Sequence, residues 1–263
     1  VTMVLVELAK ASDDNRCAWL ENNFGITDEV PEPWTPVAVD GEQVRVWGRT
    51  IDFGEALLPV QIASQEVGLL VSPPSITVIS GGQLLSFGEP SVHRFDTRKD
   101  QIVREASARS GSLAVSTVTT VEFDGMVHVE LAITPDSPTV LERIAITIPV
   151  DRNVAQVYAR YLNYDFEALR TDKMSLAACT QRITEPIYSD FNPEIWVGNR
   201  NVGITWAAET NCQYDLIDAG KTLSVIPKTD TVELVVSIVD HPITLCEPKT
   251  IEFALFPTPL KPV

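Results

Sequence analysis

The stretch Glu194 to Glu209, read as Glu-Ile-Trp-Val-Gly-Asn-Arg-Asn-Val-Gly-Ile-Thr-Trp-Ala-Ala-Glu, narrows the choice of fold more than any other. Ile195 to Val197 and Ile204 to Ala207 are apolar, β-branched or aromatic runs, which suit a pleated, half-buried surface. Between them, Gly198 to Gly203 carries two glycines and two asparagines, the residues that accept positive φ in a reversal. The spacing predicts a hairpin, and its two tryptophans, each able to bury roughly 150–250 Å², place it at the centre of a β-sandwich core.

The same grammar runs along most of the chain. Val37 to Val39, the turn Asp40-Gly41 and Gln43 to Trp47 form a second hairpin signal, continued as a meander by Gly48 to Gly54 and Pro59 to Ser64. Further short strands are predicted at Leu69 to Val71 and Ile76 to Ile79. Ser112 to Phe123, Asp124-Gly125 and Met126 to Ile133 read as a long antiparallel hairpin, followed by a strand over Val140 to Pro149. Strands at Thr222 to Ile226, Val232 to Val239 and Lys249 to Phe256 complete the series. Asn153 to Lys173 is less periodic and reads as a short helix or an irregular insertion. No alternation of strands with long amphipathic helices occurs, so the strands pair antiparallel. The predicted fold is all-β, a large two-sheet antiparallel sandwich with little helix.

Three segments follow. Residues 1–36 form an N-terminal strand and a surface loop carrying Pro31, Pro33 and Pro36, because proline removes a ladder donor. Residues 37–256 form the sandwich, and 257–263 a stiff proline-rich exit or linker. A 44% hydrophobic chain of 263 residues with mean hydropathy +0.07 can bury such a core.

Twenty basic residues against 36 acidic ones give a net charge of −16, a field that repels nucleic-acid phosphates and anionic lipid. No run of eighteen apolar residues is present, so membrane insertion is not expected. The four cysteines, Cys17, Cys179, Cys212 and Cys246, include no CxxC pair; they allow two disulfides, which would suit an extracellular or periplasmic protein, or four buried thiols. His93, His128 and His241 show no metal-ligand spacing, and no phosphate loop or GxSxG elbow is present. The reading therefore carries no cofactor, no metal and no catalytic residue.

Four blocks, taken in order, resemble the N-terminal β-sandwich domain of glycoside hydrolase family 123-like proteins. They are Pro33-Trp34-Thr35-Pro36 leading to Val46-Trp47-Gly48-Arg49 and Leu58 to Ile62; Glu122-Phe-Asp-Gly-Met126; the hairpin at Glu194 to Glu209; and Thr258-Pro-Leu-Lys-Pro262. Trp19-Leu20 with Asn22-Asn23 and Phe24-Gly25 resembles the opening of that domain, so the similarity covers roughly residues 17 to 262. In that family the sandwich precedes a catalytic barrel whose adjacent Asp-Glu pair serves substrate-assisted cleavage of N-acetylhexosaminides. The adjacent pair of this sequence, Asp28-Glu29, lies in the proline-rich loop and is read as solvated charge.

The resemblance implies an accessory domain that packs on, or shapes, a catalytic domain outside these residues, with the chain alone expected to be inactive. An autonomous glycan-binding module and a structural subunit of an extracellular or cell-surface assembly are the alternatives. Trp19, Asn22, Asn23, Trp34 and Arg49 are the candidate residues for carbohydrate or interdomain contact. Trp47, Trp196 and Trp206 are expected in the core. The expected partners are a catalytic domain or a neighbouring subunit, and a glycan under the binding-module reading.

Overall fold

A computed structural model describes residues 29–160 and 180–261. The expected first strand, Trp19, Asn22, Asn23, Asp28, Cys17, Cys179 and the stretch from Tyr161 to Lys173 lie outside the described residues.

The described chain is built of strands. β1 (Ala38–Asp40), β2 (Gln43–Val46), β3 (Arg49–Asp52), β4 (Gln61–Ser64) and β5 (Val67–Gly68) make a five-stranded meander in chain order. β6 (Ser75–Ser80) and β7 (Gln83–Leu84) then form a hairpin. Next come β8 (Ser91–Thr97), β9 (Gln101–Ser110), β10 (Leu113–Glu122), β11 (Val127–Pro135), β12 (Thr139–Leu141) and β13 (Arg143–Asp151). β14 (Val157–Arg160), β15 (Gln181–Arg182), β16 (Ile187–Ser189), β17 (Glu194–Gly198) and β18 (Gly203–Ala207) follow. The series ends with β19 (Leu223–Pro227), β20 (Thr231–Val239), β21 (Ile243–Leu245) and β22 (Lys249–Thr258). A single 3-10 turn, Ala219–Lys221, is the only helical element among the described residues.

The large sandwich read from the sequence is present. One sheet has nine strands in the order β15-β14-β17-β18-β22-β11-β10-β9-β8, and the other has six in the order β16-β19-β20-β13-β6-β7. Every pairing between these strands is antiparallel. β10 alternates buried and half-buried along its whole length, so one side chain in two enters the core. Val115, Val129, Leu131 and Phe253 from the larger sheet share one apolar cluster with Ile144, Ile146, Leu234 and Val236 from the smaller. Each such fully buried side chain contributes about 1.5–3 kcal/mol before the entropy of ordering it. The meander adds Val44, Ile51, Phe53 and Ile62 to the same cluster as a third, small sheet.

Several local readings differ from the structure. β8 and β9 were not foreseen, because the buried face of β9 carries Arg104 where an apolar residue would complete the alternation. Arg104 is fully buried; its Nε donates to Glu42 at 2.9 Å and its guanidinium lies 4.8 Å from the centre of the Phe53 ring, so it ties the meander to the larger sheet. The single strand expected over Val140 to Pro149 is broken at Glu142 into β12 and β13, which join different sheets. Leu69 to Val71 contributes one isolated bridge, Leu70 to Val150.

Of the three tryptophans expected in the core, only Trp206 is fully buried. In the β17–β18 register Trp206 faces Ile195, whereas Trp196 faces Thr205. Strand alternation therefore sends the two indoles to opposite faces of the sheet, and Trp196 and Trp47 are only half-buried.

Candidate functional site

The four blocks that mark the family resemblance are distant in sequence, and the fold brings them together around the end of β22. Arg49 opens β3 and is 4% exposed. Its Nε donates to the carbonyl of Pro257 at 3.2 Å, one Nη to the carbonyl of Trp47 at 3.2 Å, and the other Nη to the carbonyl of Pro259. A guanidinium presents its donors in a fixed fork, so one side chain can hold three backbone carbonyls at once. Burial lowers the Arg49 pKa, and the charge of Asp124 partly offsets that.

The second block forms the turn from β10 to β11. Gly125 N–H donates to the carbonyl of Glu122 at 2.9 Å, and Met126 N–H to Asp124 Oδ1 at 3.0 Å. Gly125 has φ +86°, and a Cβ added there would lie 2.5 Å from Arg49 Cδ. Glycine thus serves twice, for the left-handed backbone and for the passage of the arginine stem. Beside it, burial first and then the Asp124 charge push the Glu122 carboxyl pKa up. Phe123 meets Trp34 edge-on, with centroids 5.9 Å apart at 76°, and Lys261 Nζ stands 4.8 Å from the centre of the Trp34 ring.

The hairpin contributes from the other side of β22. Trp196 Nε1 donates to Thr258 Oγ1 at 2.9 Å, and Ser64 Oγ donates to the carbonyl of Thr258, also at 2.9 Å. Gly198 and Gly203 face each other across the hairpin, where a Cβ on Gly198 would come within 2.7 Å of Gly203 Cα and run into the indole of Trp196. The sequence suggested these glycines for positive φ in the turn. Neither is among the positive-φ residues; both are strand residues whose missing Cβ makes room for Trp196. The reversal itself is 199–202, held by Asn199 Oδ1 accepting from the N–H groups of Asn201 and Val202. β22 extends two residues past Phe256, with Pro257 opposite Ile204 and Thr258 opposite Gly203.

Trp34 and Arg49 therefore meet in one seam, although they play different parts in it. Arg49 acts as an internal clamp, with three of its five N–H donors given to backbone carbonyls. Trp34 is half-buried, and its indole N–H is shielded from solvent without an acceptor among the described residues. Next to Arg49 a hollow of about 230 Å³ opens between β2, β3 and β4, bordered by Arg45, Thr50, Gln65 and Glu66. Gln65 and Glu66 both take positive φ, 48° and 66°, in the tight turn between β4 and β5, a conformation that glycine and asparagine adopt at lower cost. Sequence reasoning missed Gly125, Thr258 and Lys261 as members of this seam. Their only signal was that they lie inside the blocks quoted.

Among the described residues no group of three His, Cys, Asp or Glu side chains is placed to hold a metal ion. Cys212 and Cys246 are exposed free thiols, not joined to each other.

A family model described as glycoside hydrolase 123, third domain, matches residues 37–214, well over half of the chain. No curated protein matches the sequence. Among solved structures, a putative aldose 1-epimerase from Escherichia coli K12 is 11% identical over 85% of this chain and 98% of its own, with a TM-score of 0.46. Galactose 1-epimerase from Lactobacillus acidophilus NCFM is 8% identical over 88% and 99%, with a TM-score of 0.48. Heparan sulfate lyase HepC from Pedobacter heparinus is 6% identical over 97% of this chain and 41% of its own, with a TM-score of 0.48. At this distance the likenesses say nothing of activity.

Proposed function

Because the chain belongs to the family described as glycoside hydrolase 123, third domain, we propose that it is a non-catalytic accessory β-sandwich of a glycoside hydrolase-like protein that docks on a catalytic domain. The observation that supports this is the seam: residues from all four family-like blocks are used to fix the course of β22 and of Pro259 to Lys261. Arg49, Ser64 and Trp196, committed to carbonyls and a hydroxyl, are not available for acid, base or nucleophile work. What they supply is a rigid corner with Trp34 and Lys261 at its rim, suited to packing against a neighbour. An extracellular or periplasmic setting belongs to the same reading.

The test has two arms. The chain alone is assayed on aryl N-acetylhexosaminides, with no turnover expected. Amide hydrogen exchange is then compared between the chain alone and the same chain within its parent polypeptide. Protection gained around Trp34, Gln65 to Val67 and Lys261 supports docking at the seam. Hydrolysis by the chain alone, or equal exchange in the two settings, refutes the proposal.

A further inference from the structure

We propose that the hollow on the outer face of the six-stranded sheet is a binding site for a neutral saccharide. This inference does not rest on the docking reading, since the seam is built from the five-stranded and nine-stranded sheets.

The site follows from strand register. Tyr188 stands opposite Ser224, Ser224 opposite Val235, and Val235 opposite Thr147. Directly opposed residues share a face, so these four form one row across β16, β19, β20 and β13. Two residues along β20 from Val235, Glu233 and Ser237 lie on the same face. The intervening Val225, Leu234, Val236, Ile146 and Ile148 belong to the core. The floor therefore mixes the hydroxyls of Thr147, Ser224 and Ser237 with the apolar Val235 and Ile226, and it is recessed: Ser224 and Ser237 are 6% and 9% exposed although they point away from the core.

A loop makes one wall. Asp240 accepts from the N–H groups of Ile217 at 2.8 Å and Asp218 at 3.0 Å, which holds the segment leading into the 3-10 turn against the end of β20. That turn packs beside β16 and carries Lys221, whose Nζ is 2.8 Å from Asp218. The opposite rim is Arg143, and Tyr188 closes the edge with its ring half exposed. The hollow, open to solvent on one side, has a volume of about 450 Å³, within the range of about 300–1,000 Å³ usual for small-ligand sites.

The chemistry of the lining selects the ligand class. Among the described residues the hydroxyls of Thr147, Ser224 and Ser237 and the guanidinium of Arg143 have no side-chain partner within the protein, and none of them is sealed from solvent. Donors and acceptors thus lie in one hollow with an exposed aromatic ring at its edge. A sugar offers hydroxyls that both donate and accept, together with an apolar C–H face for the ring. Glu233 is paired with Lys228 at 3.6 Å, but an apolar ligand would leave the charge of Arg143 without hydration. An anionic glycan would meet three carboxylates, Asp218, Glu233 and Asp240, against two cations, on a protein of net charge −16.

The experiment follows the backbone amides by NMR while adding short gluco-, manno-, galacto-, xylo- and N-acetylglucosamine oligosaccharides up to about 10 mM, which reads millimolar dissociation constants. Heparin fragments serve as the anionic comparison. At least one neutral series is expected to shift the amides of Tyr188, Ser224 and Val235. Tyr188→Ala should weaken that binding about tenfold and Tyr188→Phe by less than about threefold, since the stacking face is kept. Trp34→Ala should bind as the wild type does. Because Tyr188 is half exposed, its variants are expected to keep the native spectrum, which the same measurement checks. Silence toward every neutral series, shifts that map to Trp34, stronger binding of heparin, or unchanged affinity in Tyr188→Ala would each overturn the proposal. The docking reading of the seam has its own test in the hydrogen-exchange comparison.

Discussion

Replacing Gly125 with alanine tests whether the seam works as one unit. Gly125 lies in the left-handed region, so any Cβ costs about 1–2 kcal/mol, and that Cβ would also press on Arg49 Cδ from 2.5 Å. Because the stem cannot stay, the three bonds from Arg49 to Trp47, Pro257 and Pro259 are lost with it. Charge-assisted bonds contribute about 1.5–3 kcal/mol each. Part of this is offset by the dehydration of the guanidinium, the same burial that lowers its pKa. A net loss of about 3 kcal/mol is therefore expected for Arg49→Ala, and about 4–5 kcal/mol for Gly125→Ala, the sum of backbone strain and clamp loss. In the Arg49→Ala background the clamp is already gone, so Gly125→Ala should cost only about 1–2 kcal/mol. Urea unfolding followed by tryptophan fluorescence, with m-values compared across the four proteins, measures the cycle. If the two substitutions add to within about 0.5 kcal/mol, Gly125 does not act through Arg49 and the seam is not a unit.

Other outcomes follow from single features. Trp206→Ala, at a fully buried position packed edge-on with Phe191 at 6.5 Å, should cost about 3–5 kcal/mol in the same unfolding assay. Glu66→Gly should stabilise by about 0.5–1 kcal/mol, because Glu66 holds φ 66° in a two-residue turn. Asp240 is held below the usual carboxylate range: desolvation opposes this, but the N–H donors of Ile217 and Asp218 and its contact with His241 outweigh it. Its contribution is thus complete above the ordinary carboxylate value of 3.8 and is lost as pH falls through the lower folded value. Amide exchange at Ile217 and Asp218 should accelerate in that acid window and not at neutral pH. Cys212 and Cys246 should both react with a thiol reagent in the native protein without reductant, read at each of the two positions by peptide mass mapping.

The sandwich was legible because its pattern is local. β10 and β11 alternate in the sequence as they do in the fold, and Asp124-Gly125 closes them into the hairpin expected. β9 was not legible, since its alternation holds only once Arg104 is counted as buried, and that depends on Glu42 and Phe53 arriving from another sheet. The glycines of the central hairpin illustrate the same limit. Their number suggested a turn, but what requires them is Trp196 lying across the pair, a contact two residues away that only the paired strands reveal. Trp19, Asn22 and Asn23 lie outside the described residues. Of the other candidate residues, Trp34 and Arg49 share the seam, where Arg49 gives three of its N–H donors to backbone carbonyls.

Tyr188 shows why the second site could not be read along the chain. Nothing in Ile187-Tyr188-Ser189 marks a recognition surface, and Ser224, Val235 and Thr147 are unremarkable in their own strands. They become a surface only through register, which places residues 147, 188, 224 and 235 in one row. A one-residue slip of β19 against β20 would turn Ser224 inward and Val225 outward, filling the floor with an apolar side chain and exposing part of the core. The core therefore fixes the register, and the register fixes the hollow. Substitutions that keep Val225, Leu234 and Val236 apolar should preserve the shape of the site, while Ser224→Leu should fill it without disturbing the fold. If saccharide binding survived Ser224→Leu with an unchanged spectrum elsewhere, the floor of the six-stranded sheet would not be where the ligand sits.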